Sequence, residues 1–236
     1  NDLFGEQARH IFEFEKIDSR FMVKDPRNPS GIALIMVDQE GENCIAVAPG
    51  ANGTLSAYDV ADEVYGKDPS DVFLMQLEIP VSTVEFIAQK VSQKGNRVIL
   101  NPAPAKQLSD DLLACLFAIT PNENEAEILT GVKVSDSESA SVAAEKLFGK
   151  GIRNVIITLG GSGAWLKNEK ISKQIPVTPV RAVDTTAAGD VFNGALAVAV
   201  SEGMDMENAV TFANRAASIS VTRMGAQASA PYRKEL

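Results

Sequence analysis

Two aspartates six positions apart, Asp184 and Asp190, bracket the small residues Ala187, Ala188 and Gly189 in the stretch A-V-D-T-T-A-A-G-D-V-F-N-G-A-L at 182–196. The apolar, β-branched run 180–183 reads as a strand end, and the Ala/Leu-rich run 195–200 as a buried helix. Small residues at such a junction let a ligand come close to the main chain. The first N–H groups of a helix have no partner within it, so they form a ready anion site. A carboxylate among them suits one chemistry: Asp190 meets a substrate hydroxyl while the N–H groups of 187–189 hold transferring phosphate charge. A plainer reading makes Asp190 a first-turn acid favoured by the helix dipole and Asp184 the head of an Asx turn.

Three further groups carry polar chemistry. Asn122 and Glu125 follow Pro121 with the spacing of a helix capping box, and a capped helix start is also a sound platform for phosphate. The loop T-L-G-G-S-G at 158–163 joins two expected strands; it reads as a hairpin turn or as a concave nest of N–H groups for phosphate oxygens. It is neither a Walker A loop nor a dinucleotide fingerprint, which argues against a dinucleotide oxidoreductase. Glu78 closes the apolar run 71–77, at a strand end where open sheets bind ligands, or is simply a solvated charge. The single histidine, His10, cannot build a zinc site or a catalytic triad.

The elements needed to hold these groups are legible in the periodicity. From residue 56 strands alternate with helices, which predicts a mainly parallel sheet flanked by helices. Strands are expected at 71–77, 97–101, 116–120, 154–159, 164–167 and 175–180. Helices are expected at 2–17, 81–93, 123–129, 137–148, 189–202 and 206–221. Residues 31–37 and 44–47, around the polar turn 38–43, predict a β-hairpin with two apolar faces, better placed as a lid than in the sheet. Trp165 and most of the ten phenylalanines are expected in the core. At 236 residues the chain fits one domain, with residues 20–48 part of the lid. The net charge of −9 disfavours a general nucleic-acid binder, and no apolar run approaches a membrane span. Cys44 and Cys115 form no CxxC pair and read as buried thiols of a cytoplasmic protein.

D-T-T-A-A-G-D-V-F-N-G at 184–194 resembles the C-terminal signature of the ribokinase-like sugar kinases, the phosphofructokinase-B group. In order along the chain, S-G-I-A-L-I-M-V-D at 30–38, G-E-N at 41–43, N-P-A-P-A at 101–105, T-P-N-E-N-E-A at 120–126, T-L-G-G-S-G at 158–163 and V-T-R-M-G-A-Q at 221–227 are similar to that family too. The resemblance implies an α/β fold and ATP-dependent phosphorylation of a primary sugar hydroxyl, D-ribose at O5. Fructose, a keto-deoxy sugar acid or a nucleoside is the alternative acceptor, and a catalytically silent binding protein the alternative class. It implies Asp190 as base, with Ala187, Ala188 and Gly189 as the anion hole, and Glu78 on the sugar. Asn122 and Glu125 would place a magnesium–nucleotide, with Thr158, Gly160, Gly161, Gly163 and Asn214 around ATP. Asp184, Thr186, Ser220, Arg223, Gly225 and Ser229 would surround a potassium ion, although Arg223 could instead form an ion pair. The lids of two copies would meet in a homodimer. The family opens with a strand, a substrate-binding Asp and a Gly-rich sugar loop, none of which is in this sequence; the resemblance thus implies that an N-terminal portion precedes residue 1.

Overall fold

The computed structural model describes residues 2–37, 43–66 and 68–236, with backbone alone at residues 35, 37 and 43–45. It divides into two compact units, Asn1–Tyr65 with Glu78–Ile87, and Gly66–Leu77 with Ala88–Leu236.

In the first unit, helix α1 (Leu3–Phe14) starts where the Asp2 carboxylate accepts the Gly5 N–H at 3.0 Å. It ends short of the expected residue 17 because Lys16 turns left-handed, with φ of 57°. Strands β1 (Ile32–Val37) and β2 (Asn43–Ala48) pair antiparallel, Ile32 opposite Ala48 and Val37 opposite Asn43. This is the expected hairpin; residues 38–42 of its turn lie outside the described residues. Leu34, Met36 and Val47 are exposed on it. The unit's interior is anchored by Tyr65, whose ring packs edge-on against Phe86 with centroids 6.4 Å apart and whose hydroxyl donates to the Ala57 carbonyl.

In the second unit, β3 (Val72–Met75) is followed by α2 (Val81–Ser92), which the division between the units crosses. There follow β4 (Arg97–Leu100), α3 (Asp110–Cys115), β5 (Ala118–Ile119), α4 (Glu123–Thr130), α5 (Ser137–Phe148) and β6 (Asn154–Thr158). The chain ends through β7 (Ala164–Asn168), β8 (Ser172–Ile175), α6 (Ala188–Ser201) and α7 (Met206–Ser220). The sheet order is β3-β4-β5-β6-β7-β8; β3 to β6 run parallel, and β7 and β8 add as antiparallel hairpin strands. Residues of β4, β6 and β7 (Ile99, Ile156, Leu166) pack with Phe192, Leu196 and Val200 of α6 and Val210 of α7. Each such burial is worth about 1.5–3 kcal/mol, so α6 is fixed to the sheet along its length. Among the described residues no helix is long and apolar enough to cross a membrane.

Several expectations are corrected. The strand expected over 175–180 is β8 at 172–175 instead: Pro176 and Pro179 supply no N–H to a ladder. The strand end expected at 180–183 is an unpaired segment whose Val183 N–H donates to the Val221 carbonyl at 2.7 Å. Helix α3 was not expected; Ser109 caps its single turn and a half by accepting the Leu112 N–H. Of the phenylalanines only Phe192 is buried, and Phe4, Phe14, Phe21 and Phe86 are exposed. Trp165 and Cys115 are half-buried, and the Cys44 side chain lies outside the described residues.

Candidate active site

The first turn of α6 carries the acid. Its N-cap is Ala187, a non-glycine residue in the left-handed region with φ of 60° and ψ of 12° and no side-chain cap. Such a conformation costs roughly 1–2 kcal/mol for an L-residue and concentrates at functional sites. It turns the chain so that the Val191 N–H closes the first helical bond on the Ala187 carbonyl at 2.9 Å. Of the three amides expected to be free, that of Ala188 is already donated to the Thr185 carbonyl at 3.2 Å. Among the described residues the Ala187 and Gly189 N–H groups have no protein acceptor. A Cβ built on Gly189 would meet nothing within 4 Å, so the space beside this residue is open.

Asp190 follows in the same turn. With Ala187, Val191 and Gly194 it lines a cavity of about 560 Å³, within the range of small-molecule sites. The residue is exposed overall, yet partial burial of its carboxyl pushes the pKa upward, and a hydrogen bond from Gln76 works against that rise. Gln76 Nε2 donates to Asp190 Oδ1 at 3.0 Å. Sequence reasoning missed Gln76. It stands one residue past β3, at the carboxyl edge of the parallel strands where such sheets bind ligands.

Buried polar bonds tie this turn to the other candidate groups. Asn193 Nδ2 donates to the Gly189 carbonyl at 2.8 Å, and its Oδ1 accepts from Thr120 Oγ1 at 2.6 Å; both side chains are almost wholly buried. Two residues on, Asn122 opens α4 with a reciprocal capping box: its Oδ1 accepts the Glu125 N–H at 2.9 Å, and Glu125 Oε2 accepts the Asn122 N–H at 2.9 Å. The cap reading is therefore observed. Glu125 keeps its other oxygen, and burial raises its pKa, so a cationic partner would stabilise the ionised form. Asn122 bridges Thr158 in a parallel pair, which brings the capping box beside the glycine loop.

That loop is a hairpin turn, and its glycines divide by role. Gly163, at φ of 92° and ψ of −130°, would put a Cβ 2.2 Å from the Ile175 carbonyl oxygen. Only glycine fits there. Added methyls on Gly160 or Gly161 would meet nothing within 4 Å. Gly163→Ala is expected to destabilise the protein by about 2–3 kcal/mol, read as a lower thermal midpoint, while Gly161→Ala leaves the midpoint near the parent's.

Asp184 forms the Asx turn, its Oδ1 accepting the Thr186 N–H at 2.9 Å, and its Oδ2 reaches the Gly225 N–H at 2.9 Å. The Thr186 hydroxyl first, then these two N–H groups, lower its pKa, and the Gly225 bond ties the 184–187 loop to the turn after α7. Ser220 and Ser229 are buried nearby in sequence, Ser229 donating to the Ala226 carbonyl at 2.7 Å. Arg223 takes the ion-pair alternative, binding Glu235, and reaches the Ser229 carbonyl at 3.5 Å. Among the described residues no three His, Cys, Asp or Glu side chains gather as a metal site, so a cation here would rely on the Asp184 carboxylate with main-chain and hydroxyl oxygens. Asn214 is buried on α7 and donates to the Ile175 carbonyl at 3.1 Å, while lining a cavity of about 470 Å³ with Pro176, Thr178 and Ser218. Glu78 is exposed and belongs to the first unit.

The pfkB family carbohydrate kinase pattern matches residues 1–233. Ribokinase of Haemophilus influenzae is 45% identical over 235 residues, covering 100% of this chain and 77% of that protein. Among solved structures, ribokinase from Thermotoga maritima superposes with a TM-score of 0.88 at 40% identity, over 100% of this chain and 76% of that one. Arabidopsis thaliana ribokinase complexed with ribose and ATP gives 0.81 at 33% identity, over 89% of this chain and 68% of that one. With a family match over nearly every residue and a sheet of the same architecture, the chain belongs to the pfkB family of carbohydrate kinases.

Proposed function

We propose that this protein transfers the γ-phosphoryl group of ATP to a primary hydroxyl of a small sugar, D-ribose at O5, giving ribose 5-phosphate and ADP. The observation that carries the reading is the Asp190 carboxylate beside the unsatisfied Ala187 and Gly189 amides at one helix start, where Ala187 and Asp190 line one cavity. The ribose and ATP in the Arabidopsis relative's structure, and the ribokinases among its relatives, support the choice of substrates.

In this mechanism Asp190 accepts the proton as the sugar oxygen attacks γ-phosphorus and the bond to the β-phosphate oxygen breaks. General-base help of this kind is worth about 10²–10⁴ in rate. The two free amides and the positive helix end hold the charge on the equatorial oxygens, each donor being worth roughly 10²–10³. Little covalent work remains for the protein, since phosphoryl transfer depends mainly on position and neutralised charge. Glu78 would hold the sugar, and Thr158, Gly160, Gly161, Gly163 and Asn214 would line the nucleotide. Gly163 does so as the residue that shapes the turn. Asn122 and Glu125 fit a magnesium–nucleotide, because Glu125 retains an oxygen and its raised pKa favours a nearby cation. The magnesium would neutralise phosphate charge. Asp184, held ionised, with oxygens of Thr186, Ser220, Arg223, Gly225 and Ser229, suits a hard monovalent cation such as potassium. Potassium would order the Thr186–Gly189 loop and so shape the amide pair.

We read the chain as one catalytic domain with residues 20–48 as part of a lid. The exposed apolar side chains Ile32, Leu34, Met36 and Val47 suit a lid that meets a second copy in a homodimer. A cytoplasmic place agrees with the free Cys115 thiol. The test is ADP release by the natural full-length protein with a panel of sugars, with and without potassium. Ribose is expected to give the highest kcat/KM, and potassium to raise it severalfold. Equal rates with fructose, or no dependence on any sugar, overturn the ribose assignment.

A further inference from the structure

The base reading leaves Gln76 without a role, although it is the side chain that holds Asp190. It directly follows β3, 114 positions away in sequence, and its amide meets Asp190 Oδ1 at 3.0 Å. Among the described residues Asp190 Oδ2 has no hydrogen-bond donor, so one oxygen is restrained and the other is left open on a residue that lines the cavity. The backbone under Gln76 is itself pinned: the Asn101 N–H donates to the Met75 carbonyl and the Leu77 N–H to the Ala103 carbonyl, each at 2.9 Å. The donor thus sits on a rigid strand end between two fixed residues.

Building on the base assignment, we infer that Gln76 is the positioning residue for Asp190, holding one carboxylate oxygen so that the other meets the sugar hydroxyl. A neutral amide suits this task. A lysine or arginine would stabilise the carboxylate so strongly that it became a poor base, and a carboxylate would repel it. Other charged groups on elements packed near α6 are occupied elsewhere. Arg97 binds the Val200 and Ser70 carbonyls, Glu207 pairs with Lys173, and Arg233, which lines the same cavity, pairs with Glu202. Arg215 lies on α7 and adds nothing to the Asp190 shift, whose causes are burial and Gln76.

The test compares Gln76→Met, Gln76→Glu and Asp190→Asn in the natural full-length protein, with thermal melting as a check on folding. Gln76→Met keeps the shape and removes the donor. It is expected to lower kcat about tenfold to a hundredfold, keep KM for ATP within about twofold, and move the acidic limb of kcat/KM to higher pH. Gln76→Glu sets a like charge beside Asp190 and is expected to move that limb further in the same direction. Should the methionine variant fail to fold, the glutamate variant carries the same test through its limb. Parental kcat and an unmoved limb in folded variants overturn the role of Gln76, as does a lower melting point with unchanged kinetics. An inactive Asp190→Asn beside a parental Gln76→Met removes only this inference; an active Asp190→Asn removes the base reading on which it rests.

Discussion

Asp190→Asn is expected to lower kcat by about 10²–10⁴ and to leave ATP affinity unchanged. The amide has the carboxylate's shape, so Gln76 Nε2 can still donate to an oxygen at position 190. The free Ala187 and Gly189 amides and the start of α6 also remain. What is lost is the ability to take a proton. The parent's pH profile reports the same group. Burial raises the Asp190 pKa more than the Gln76 bond lowers it, and the protonated acid cannot act as base. Activity therefore falls as pH drops through a value above that of an ordinary carboxylate, and this limb disappears in the residual activity of the asparagine variant. Coupled ADP detection across pH, with calorimetric titration of ATP, measures both. Turnover within tenfold of the parent overturns the base role, and lost ATP binding shows that the substitution disturbed the anion site instead.

What the sequence disclosed about this site followed the range of the interactions involved. The capping pair Asn122/Glu125 was legible because its two members bond each other across three residues, and Asp190 stood out by its place beside the small residues 187–189, since short-range chemistry has a fixed spacing. Gln76 was not, because its only visible signal is a polar residue after an apolar run, and its partner lies in a helix far along the chain. Asn193 was hidden in the same way: mid-helix asparagine carries no mark of a bond to Thr120, just past β5. The glycine loop was found as a group, yet spacing alone could not separate Gly163, which the Ile175 carbonyl requires, from Gly160 and Gly161, which face open volume. The parallel sheet emerged from the alternation of strand and helix, and the errors fell where composition and hydrogen-bonding capacity disagree. Residues 175–180 are β-branched and apolar, but two prolines deny the segment a ladder.

Gly189→Ala separates an anion hole from an ordinary helix start by moving stability and activity in opposite directions. Gly189 lies in the first turn of α6 with no requirement for positive φ, and an added methyl meets nothing within 4 Å. Alanine is the better helix former by up to about 1 kcal/mol, so the thermal midpoint should hold or rise by a few degrees. That methyl, however, would stand beside the Gly189 amide, where the proposed mechanism brings a transferring phosphate within hydrogen-bonding distance. Displacing it from even one donor costs about 10²–10³ in kcat. The expected signature, a protein at least as stable and at least a hundredfold slower, is the reverse of that for Gly163→Ala, where the cost falls on folding because the Ile175 carbonyl already fills the space. Thermal melting and steady-state kinetics on the pair measure this directly. Parental kinetics in Gly189→Ala would mean that the open volume beside Asp190 is not where phosphate passes, whereas a lost fold would mean that glycine is needed there for packing.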